Sequence, residues 1–242
     1  VTAVSNAAPA GGAAAVPAEA ASPVSEATRA ERIRITEIFF SVQGESSRVG
    51  LPTVFVRLTG CPLRCTWCDT EYAFHGGAYQ SIDEILAEVA RHSTPYVCVT
   101  GGEPLAQKPC LALLSALCEA GFSVSLETSG ALDISAVDAR VSKIMDLKAP
   151  GSGEVDKNLW NNLAHLTPRD ELKLVLADEA DYLWAREQLR ARRLVERCPV
   201  LFSPVQGSLR PADLAEWVLR DKLAVRMQVQ LHKVIWGNAQ GR

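Results

Sequence analysis

The strongest constraint on this chain is a rhythm. Between Val54 and Pro204, apolar runs of strand length alternate with stretches whose apolar residues recur at helical spacing. VFVRL (Val54–Leu58), YVCVT (Tyr96–Thr100), SVSLE (Ser123–Glu127), KIMDLK (Lys143–Lys148), ELKLVL (Glu171–Leu176) and PVLFSP (Pro199–Pro204) read as strands. SIDEILAEVARH opens with a capping box, Ser81 with Glu84 three residues on, and carries Ile82, Ile85, Leu86 and Val89 on one helical face. CLALLSALCEA, stopped by Gly121, DEADYLWAREQLRARR and PADLAEWVLRD read as further helices, and a short one is expected near Ser135–Arg140. Strands alternating with helices predict parallel βαβ units, most simply closed as a barrel or partial barrel. IRITEIFFSVQGES is expected to begin the fold, and the ending MQVQLHKVIW alternates as a strand does.

In such folds the loops after the C-terminal ends of the parallel strands build the site. Two unusual segments fall there. GCPLRCTWCDT carries Cys61, Cys65 and Cys68 with spacing C-x3-C-x2-C directly after VFVRL, and GGEP (Gly101–Pro104) directly follows YVCVT. They are therefore expected to meet at one rim. The chain holds seven cysteines, of which Cys98, Cys110, Cys118 and Cys198 are scattered. Cys98 on an apolar strand and Cys118 on an apolar helix face read as small core residues. The other three are clustered as metal or redox thiols are in a reducing compartment. Three thiolates fit an iron–sulfur cubane with one iron left open for another ligand. A zinc site completed by His75 or Asp69, or three unrelated buried cysteines, are the alternatives at this point.

Val1–Ala30 is rich in Ala, Pro, Ser and Gly and poor in large apolar residues, so it is expected to be a disordered extension before one catalytic domain over 31–242. It shows neither the basic start and apolar stretch of a secretory signal nor the arginine-rich pattern of a transit peptide, which favours a cytoplasmic location. The formal net charge of −3 supplies no field to gather nucleic acid, and no apolar run is of membrane-spanning length. The arginines of LRARRLVER (Leu189–Arg197) read as a solvated helix face.

C-x3-C-x2-C with Trp67 before the last cysteine resembles the signature of the radical S-adenosylmethionine (SAM) superfamily. The resemblance implies a partial (β/α) barrel of the radical SAM type and a [4Fe-4S] cluster on Cys61, Cys65 and Cys68. It also implies SAM bound to the fourth iron, which on reduction yields a 5′-deoxyadenosyl radical. GGEP is similar to the family's glycine-rich SAM motif, and Ser129 in ETSG (Glu127–Gly130) to a SAM contact. The glycines are expected to let backbone carbonyls approach the methionine amino group.

EIFFSVQGES, GLPTVFVRLTGCPLRCTWCDTEYAF and VTGGEP together resemble the 7-carboxy-7-deazaguanine synthase family, over almost the whole chain after the extension. That resemblance implies radical ring contraction of 6-carboxy-5,6,7,8-tetrahydropterin with loss of ammonia, in queuosine and deazapurine synthesis, with SAM regenerated and Mg2+ required. The implied SAM set is Trp67, Gly101, Gly102, Glu103, Ser129 and Lys148. The implied pterin set is Gln43, Glu45, Arg57 and Thr100, and Thr70 matches the Mg2+ ligand. A carboxylate and an amide suit the ring N–H groups and carbonyl of a pterin edge, and a guanidinium suits its carboxylate. A homodimer, with flavodoxin or ferredoxin as reductant, is also implied. Relatives often carry Ser-Pro-Lys where this chain reads DLKAPGSGE, which leaves Lys148 as the matching position. Gln206, Gln230, His232 and Lys233 are further candidates to line the pocket. A glycyl-radical activating enzyme is the alternative within the superfamily, although Asp69-Thr70 stands where those enzymes usually carry His-Asn. A non-enzymatic zinc or cluster-binding module is the alternative outside it.

Overall fold

The computed structural model describes residues 23–237 and 239–241. One nine-stranded sheet organises them. Its strands are β1 (Arg32–Val42), β2 (Pro52–Leu58), β3 (Ala78–Ser81), β4 (Tyr96–Gly101), β5 (Ser123–Thr128), β6 (Ser142–Asp146), β7 (Glu171–Leu176), β8 (Val200–Pro204) and β9 (Arg226–Met227), in the spatial order β3-β1-β2-β4-β5-β6-β7-β8-β9. From β2 to β9 every neighbouring pair is parallel, whereas β1 runs antiparallel to both β2 and β3. Helices α2 (Ile82–Val89), α3 (Cys110–Glu119), α4 (Glu179–Ala191) and α5 (Pro211–Arg220) cross between the strands. The Ser81 capping box starts α2, and the Asp178 side chain accepts from Asp181 N to start α4. The core between helices and sheet is built from fully buried residues such as Val97, Leu113, Leu126, Leu174, Tyr182 and Phe202.

The antiparallel direction of β1 decides where the next loop goes. Val42 pairs with Pro52 at the N-terminal edge of the parallel strands, so residues 43–51 must turn across the bottom of the sheet. They are tied there to the first residues of three strands. Arg48 donates to Ser123 O at 2.9 Å and Ser123 Oγ at 3.0 Å, and its guanidinium lies over the Tyr96 ring. Ser47 N donates to the Glu171 carboxylate at 3.0 Å. The VQGES segment is therefore a plug closing the bottom of the partial barrel, and the loops after β2, β4, β5 and β6 form its opposite rim.

The sheet remains open along one side. β3 pairs only with Arg32–Ile35, leaving the rest of β1 as an edge, and among the described residues β9 does not pair with it. A short helix α6 (Leu231–Trp236) fills this seam, with Leu231 N donating to Gly44 O at 2.9 Å. His232 lies so close to Gly44 that a Cβ there would overlap its ring, and Gly44 is the residue that lets α6 approach.

Three expectations are corrected. MQVQLHKVIW forms a strand only at its start: Leu231, Val234 and Ile235 are three and four apart, and the helical spacing prevails after Gln230. Ser135–Arg140 makes turns, because Asp133 and Asp138 bond the backbone N–H two residues on and compete with helix formation. Residues 26–29, expected to be disordered, form helix α1 (Glu26–Arg29), capped by Ser25 and held to α3 by Arg29–Glu119 at 2.9 Å. Residues 1–22 of the expected extension lie outside the described residues. On α4 and just beyond it, Arg190 and Arg193 are exposed, as a solvated face requires, while Arg192 stacks on Trp160.

Candidate active site

A cavity of about 700 Å3 runs from the cysteine loop at the rim down to the plug. The cysteine loop is laid against GGEP by backbone bonds: Gly102 N donates to Leu58 O at 3.2 Å and Glu103 N to Gly60 O at 2.8 Å. Both glycines are required for this contact. A Cβ on Gly101 would overlap the Leu58 carbonyl oxygen, and one on Gly102 would overlap that of Gly60 and lie 2.7 Å from Cys61 Cβ. The close approach anticipated between this motif and a ligand is thus made first with the chain's own metal loop.

Cys61, Cys65 and Cys68 are half-buried and all face the cavity. Burial pushes each thiol up, and the Lys148 ammonium pulls each back down. Neither proposed fourth zinc ligand is available. His75 is exposed and outside the cavity lining, and Asp69 is paired with Lys233 at 2.7 Å. Among the described residues, no three His, Cys, Asp or Glu side chains converge as ligands of a single ion would. The donor set suits a cluster, whose thiolates bind separate irons.

Glu103 is placed differently from the other sequence-derived candidates. It is fully buried and does not line the cavity. Its carboxylate accepts from Leu105 N at 3.0 Å, Thr128 Oγ1 at 2.9 Å, Ser129 N at 2.6 Å and Ser129 Oγ. Its oxygens are committed to the protein, so the side chain ties GGEP to ETSG and aligns the two turns. Ser129, Gly101, Gly102, Trp67 and Lys148 all reach the cavity.

The lower wall is charged. Lys173 Nζ, 9% exposed at its side chain, lies 2.6 Å from Glu45 Oε2 and 3.3 Å from Asp146 Oδ1. Asp146 Oδ2 accepts from Lys148 Nζ at 2.6 Å, and Glu45 Oε1 from Gln230 Nε2 at 2.7 Å. A continuous chain of ionic and hydrogen-bonding groups thus joins Lys148 below the cysteine loop to Glu45 on the plug. Burial lowers the tendency of Lys173 to carry charge, but Asp146, Glu45 and Glu127 outweigh it and raise its pKa. Glu127 goes the other way: burial, reinforced by the Glu45 and Asp146 carboxylates, raises its pKa against the pull of Lys173 and Arg57. Thr100 Oγ1 donates to Glu127 at 3.4 Å, and Gln43 Nε2 is buried on the plug without a partner.

Arg57 also faces the cavity rather than the outer surface. Its Nε donates to Glu37 Oε1 at 2.7 Å, the same oxygen takes the Tyr72 hydroxyl at 2.8 Å, and Phe39 and Tyr72 flank the guanidinium. Burial and the adjacent Glu37 push the Tyr72 phenol up to about 12, against the opposing pull of Arg57. At the rim, Thr70 Oγ1 donates to Asp69 Oδ1 at 2.8 Å. Partial burial favours the neutral Asp69, but Lys233 and Thr70 hold its carboxyl down at about 2.

All the sequence-derived site residues except Glu103 and the alternative zinc ligand His75 therefore line one cavity, joined by Gln206, Gln230, His232 and Lys233. Sequence reasoning missed Glu37, Asp146 and Lys173, and passed over Glu127. The available signal was an ionisable residue inside a strand otherwise apolar on both faces, as in ELKLVL and KIMDLK.

Residues 55–149 match the Radical SAM superfamily. A 7-carboxy-7-deazaguanine synthase of Chlorobaculum tepidum is 51% identical over 207 residues, covering 84% of this chain and 94% of the relative. One from Thermoplasma acidophilum is 37% identical over 210 residues, covering 86% and 99%. The crystal structure of QueE from Escherichia coli shares the fold, with a TM-score of 0.70 at 24% identity over 83% of this chain and 95% of that one. A likeness of this extent places the chain in the 7-carboxy-7-deazaguanine synthase family of radical SAM enzymes.

Proposed function

We propose that the protein converts 6-carboxy-5,6,7,8-tetrahydropterin to 7-carboxy-7-deazaguanine by radical ring contraction with loss of ammonia. The observation that carries this reading is the single cavity spanning the three thiols and the carboxylate and amide of the plug. Cys61, Cys65 and Cys68 would hold a [4Fe-4S] cluster, with SAM against Gly101, Gly102, Ser129, Trp67 and Lys148. When bound there, cluster and SAM supply a 5′-deoxyadenosyl radical for hydrogen abstraction.

The chain's own residues orient the pterin. Glu45 has lone pairs left to accept ring N–H groups, and the unpartnered Gln43 Nε2 can donate to a ring carbonyl. Arg57 is held by Glu37 through Nε alone, leaving its terminal nitrogens for the substrate carboxylate. Glu127 and Thr100 face the same space from the wall. Thr70 donates its hydroxyl hydrogen bond to Asp69, which leaves hydroxyl lone pairs for Mg2+ beside the substrate carboxylate. A homodimer in the cytoplasm, reduced by flavodoxin or ferredoxin, completes the proposal. Among the described residues no helix is long and apolar enough to cross a membrane.

Anaerobic reconstitution with iron and sulfide, then incubation with SAM, reductant, Mg2+ and the tetrahydropterin, tests the reading. The expected result is a deazaguanine product with SAM regenerated. Abundant SAM cleavage without that product would point to another substrate. Cys65→Ala is expected to lose the cluster absorbance. Thr70→Ala is expected to keep it and weaken the Mg2+ response, and an unchanged metal dependence would remove the magnesium assignment.

A further inference from the structure

Lys173 is a buried charge on the lower wall to which the roles above assign nothing. It stands third in ELKLVL, on a strand whose neighbours Leu172 and Leu174 are fully buried. An ammonium at such a place costs desolvation that a methionine of similar length would not, so packing gives no reason for it. Its partners come from two separate elements: Glu45 on the plug at 2.6 Å, and Asp146 at the end of β6 at 3.3 Å. Asp146 is shared with Lys148. The plug is a loop, held at its far side by Arg48 and Ser47, and Lys173 is the ion-pair partner of its cavity-facing carboxylate.

We infer that Lys173 is a positioning residue for the pterin: it pins the Glu45 carboxylate in the orientation that meets the ring N–H groups, and it orders the plug through that contact. The inference rests on the reading of Glu45 as a pterin contact. The ammonium donates to Glu45 and is ion-paired with Asp146, which together fix its direction along the wall. Gln230 holds the other Glu45 oxygen, so the carboxylate is gripped from both sides. The charged and titratable groups around Glu45 are Lys173, Asp146 and Glu127 from the wall and His232 from α6.

The test is a double-mutant cycle on pterin affinity. It is measured anaerobically with 6-carboxy-5,6,7,8-tetrahydropterin on the protein before and after cluster reconstitution, alongside SAM affinity and thermal unfolding. Lys173→Met is expected to weaken pterin binding about tenfold or more, with SAM affinity within about twofold and KM rising more than kcat falls. Lys173→Arg is expected to recover most of the loss. In a Glu45→Gln background, Lys173→Met is expected to cost less than about threefold, because the contact it serves is already gone. Equal losses with and without the Glu45 carboxylate, or pterin affinity unchanged in Lys173→Met, would overturn the inference. Should Lys173→Met fail to fold, Lys173→Gln keeps a donor without the charge. It is expected to show an intermediate loss, and wild-type affinity there would equally refute the role. If Glu45→Gln alone binds pterin normally, it is the underlying reading of the plug that falls.

Discussion

Gly102 shows how much a single position can carry. Its missing side chain is what allows GGEP to lie on the cysteine loop, so the residue shapes the cysteine loop as well as lining the cavity. Gly102→Ala would drive a methyl into Gly60 O and Cys61 Cβ, both on a loop that backbone bonds hold in place. We expect a destabilisation of about 1–3 kcal/mol and fewer irons retained per chain after reconstitution. Thermal unfolding and iron analysis would check this, and full iron retention at unchanged stability would show the loop to be softer than its contacts imply. Glu103 is the complementary case, a motif carboxylate whose oxygens hold Thr128 and Ser129. Its motif was legible in the sequence. Its inward orientation was not, because nothing local in GGEP says which way a side chain after a β-strand will turn.

At the scale of elements, the parallel strands and their helices could be read from periodicity because each is decided within its own window. What periodicity left out were the segments decided by contacts across the fold. The loop over residues 43–51 is polar and glycine-containing, as any turn is. Its identity as a plug depends on meeting Ser123, Tyr96 and Glu171, residues 48 to 124 positions away. Lys173 and Asp146 were visible as charges in apolar strands, but their pairing needed the parallel register that sets Asp146 beside Lys173. Arg48→Ala tests the plug as a unit. Losing the two bonds to Ser123 is expected to cost about 1–3 kcal/mol and to raise KM for the pterin, while SAM affinity stays unchanged. A parallel loss of SAM affinity would mean that the bottom of the barrel and its rim are not separable.

Across the whole molecule, the sheet leaves one side open and the chain returns at its end to close it. α6 and its cap join the two ends of the site: Gln230 to Glu45 and Leu231 to Gly44 on the plug, and Lys233 to Asp69 at the rim. Among the described residues β9 is two residues long and pairs with β8 alone, and the seam beside β1 is covered by side chains and the short helix α6 instead of a ladder. Such a closure excludes water less completely than strand pairing and is easier to loosen. Lys233→Ala removes the rim contact while leaving the plug contacts in place. Its effect should fall on coupling: the ratio of 5′-deoxyadenosine released to deazaguanine formed is expected to rise several-fold, as water and reductant gain access around an incompletely closed site. SAM and pterin affinities are expected to change little, since Lys233 pairs with Asp69 across the mouth of the cavity. Chromatographic quantification of both products in one reaction measures the ratio. A ratio equal to that of the wild type would show that the seam is sealed by Gln230 and Leu231 alone, with the Lys233–Asp69 pair an incidental surface contact of the kind that contributes about 0–1 kcal/mol.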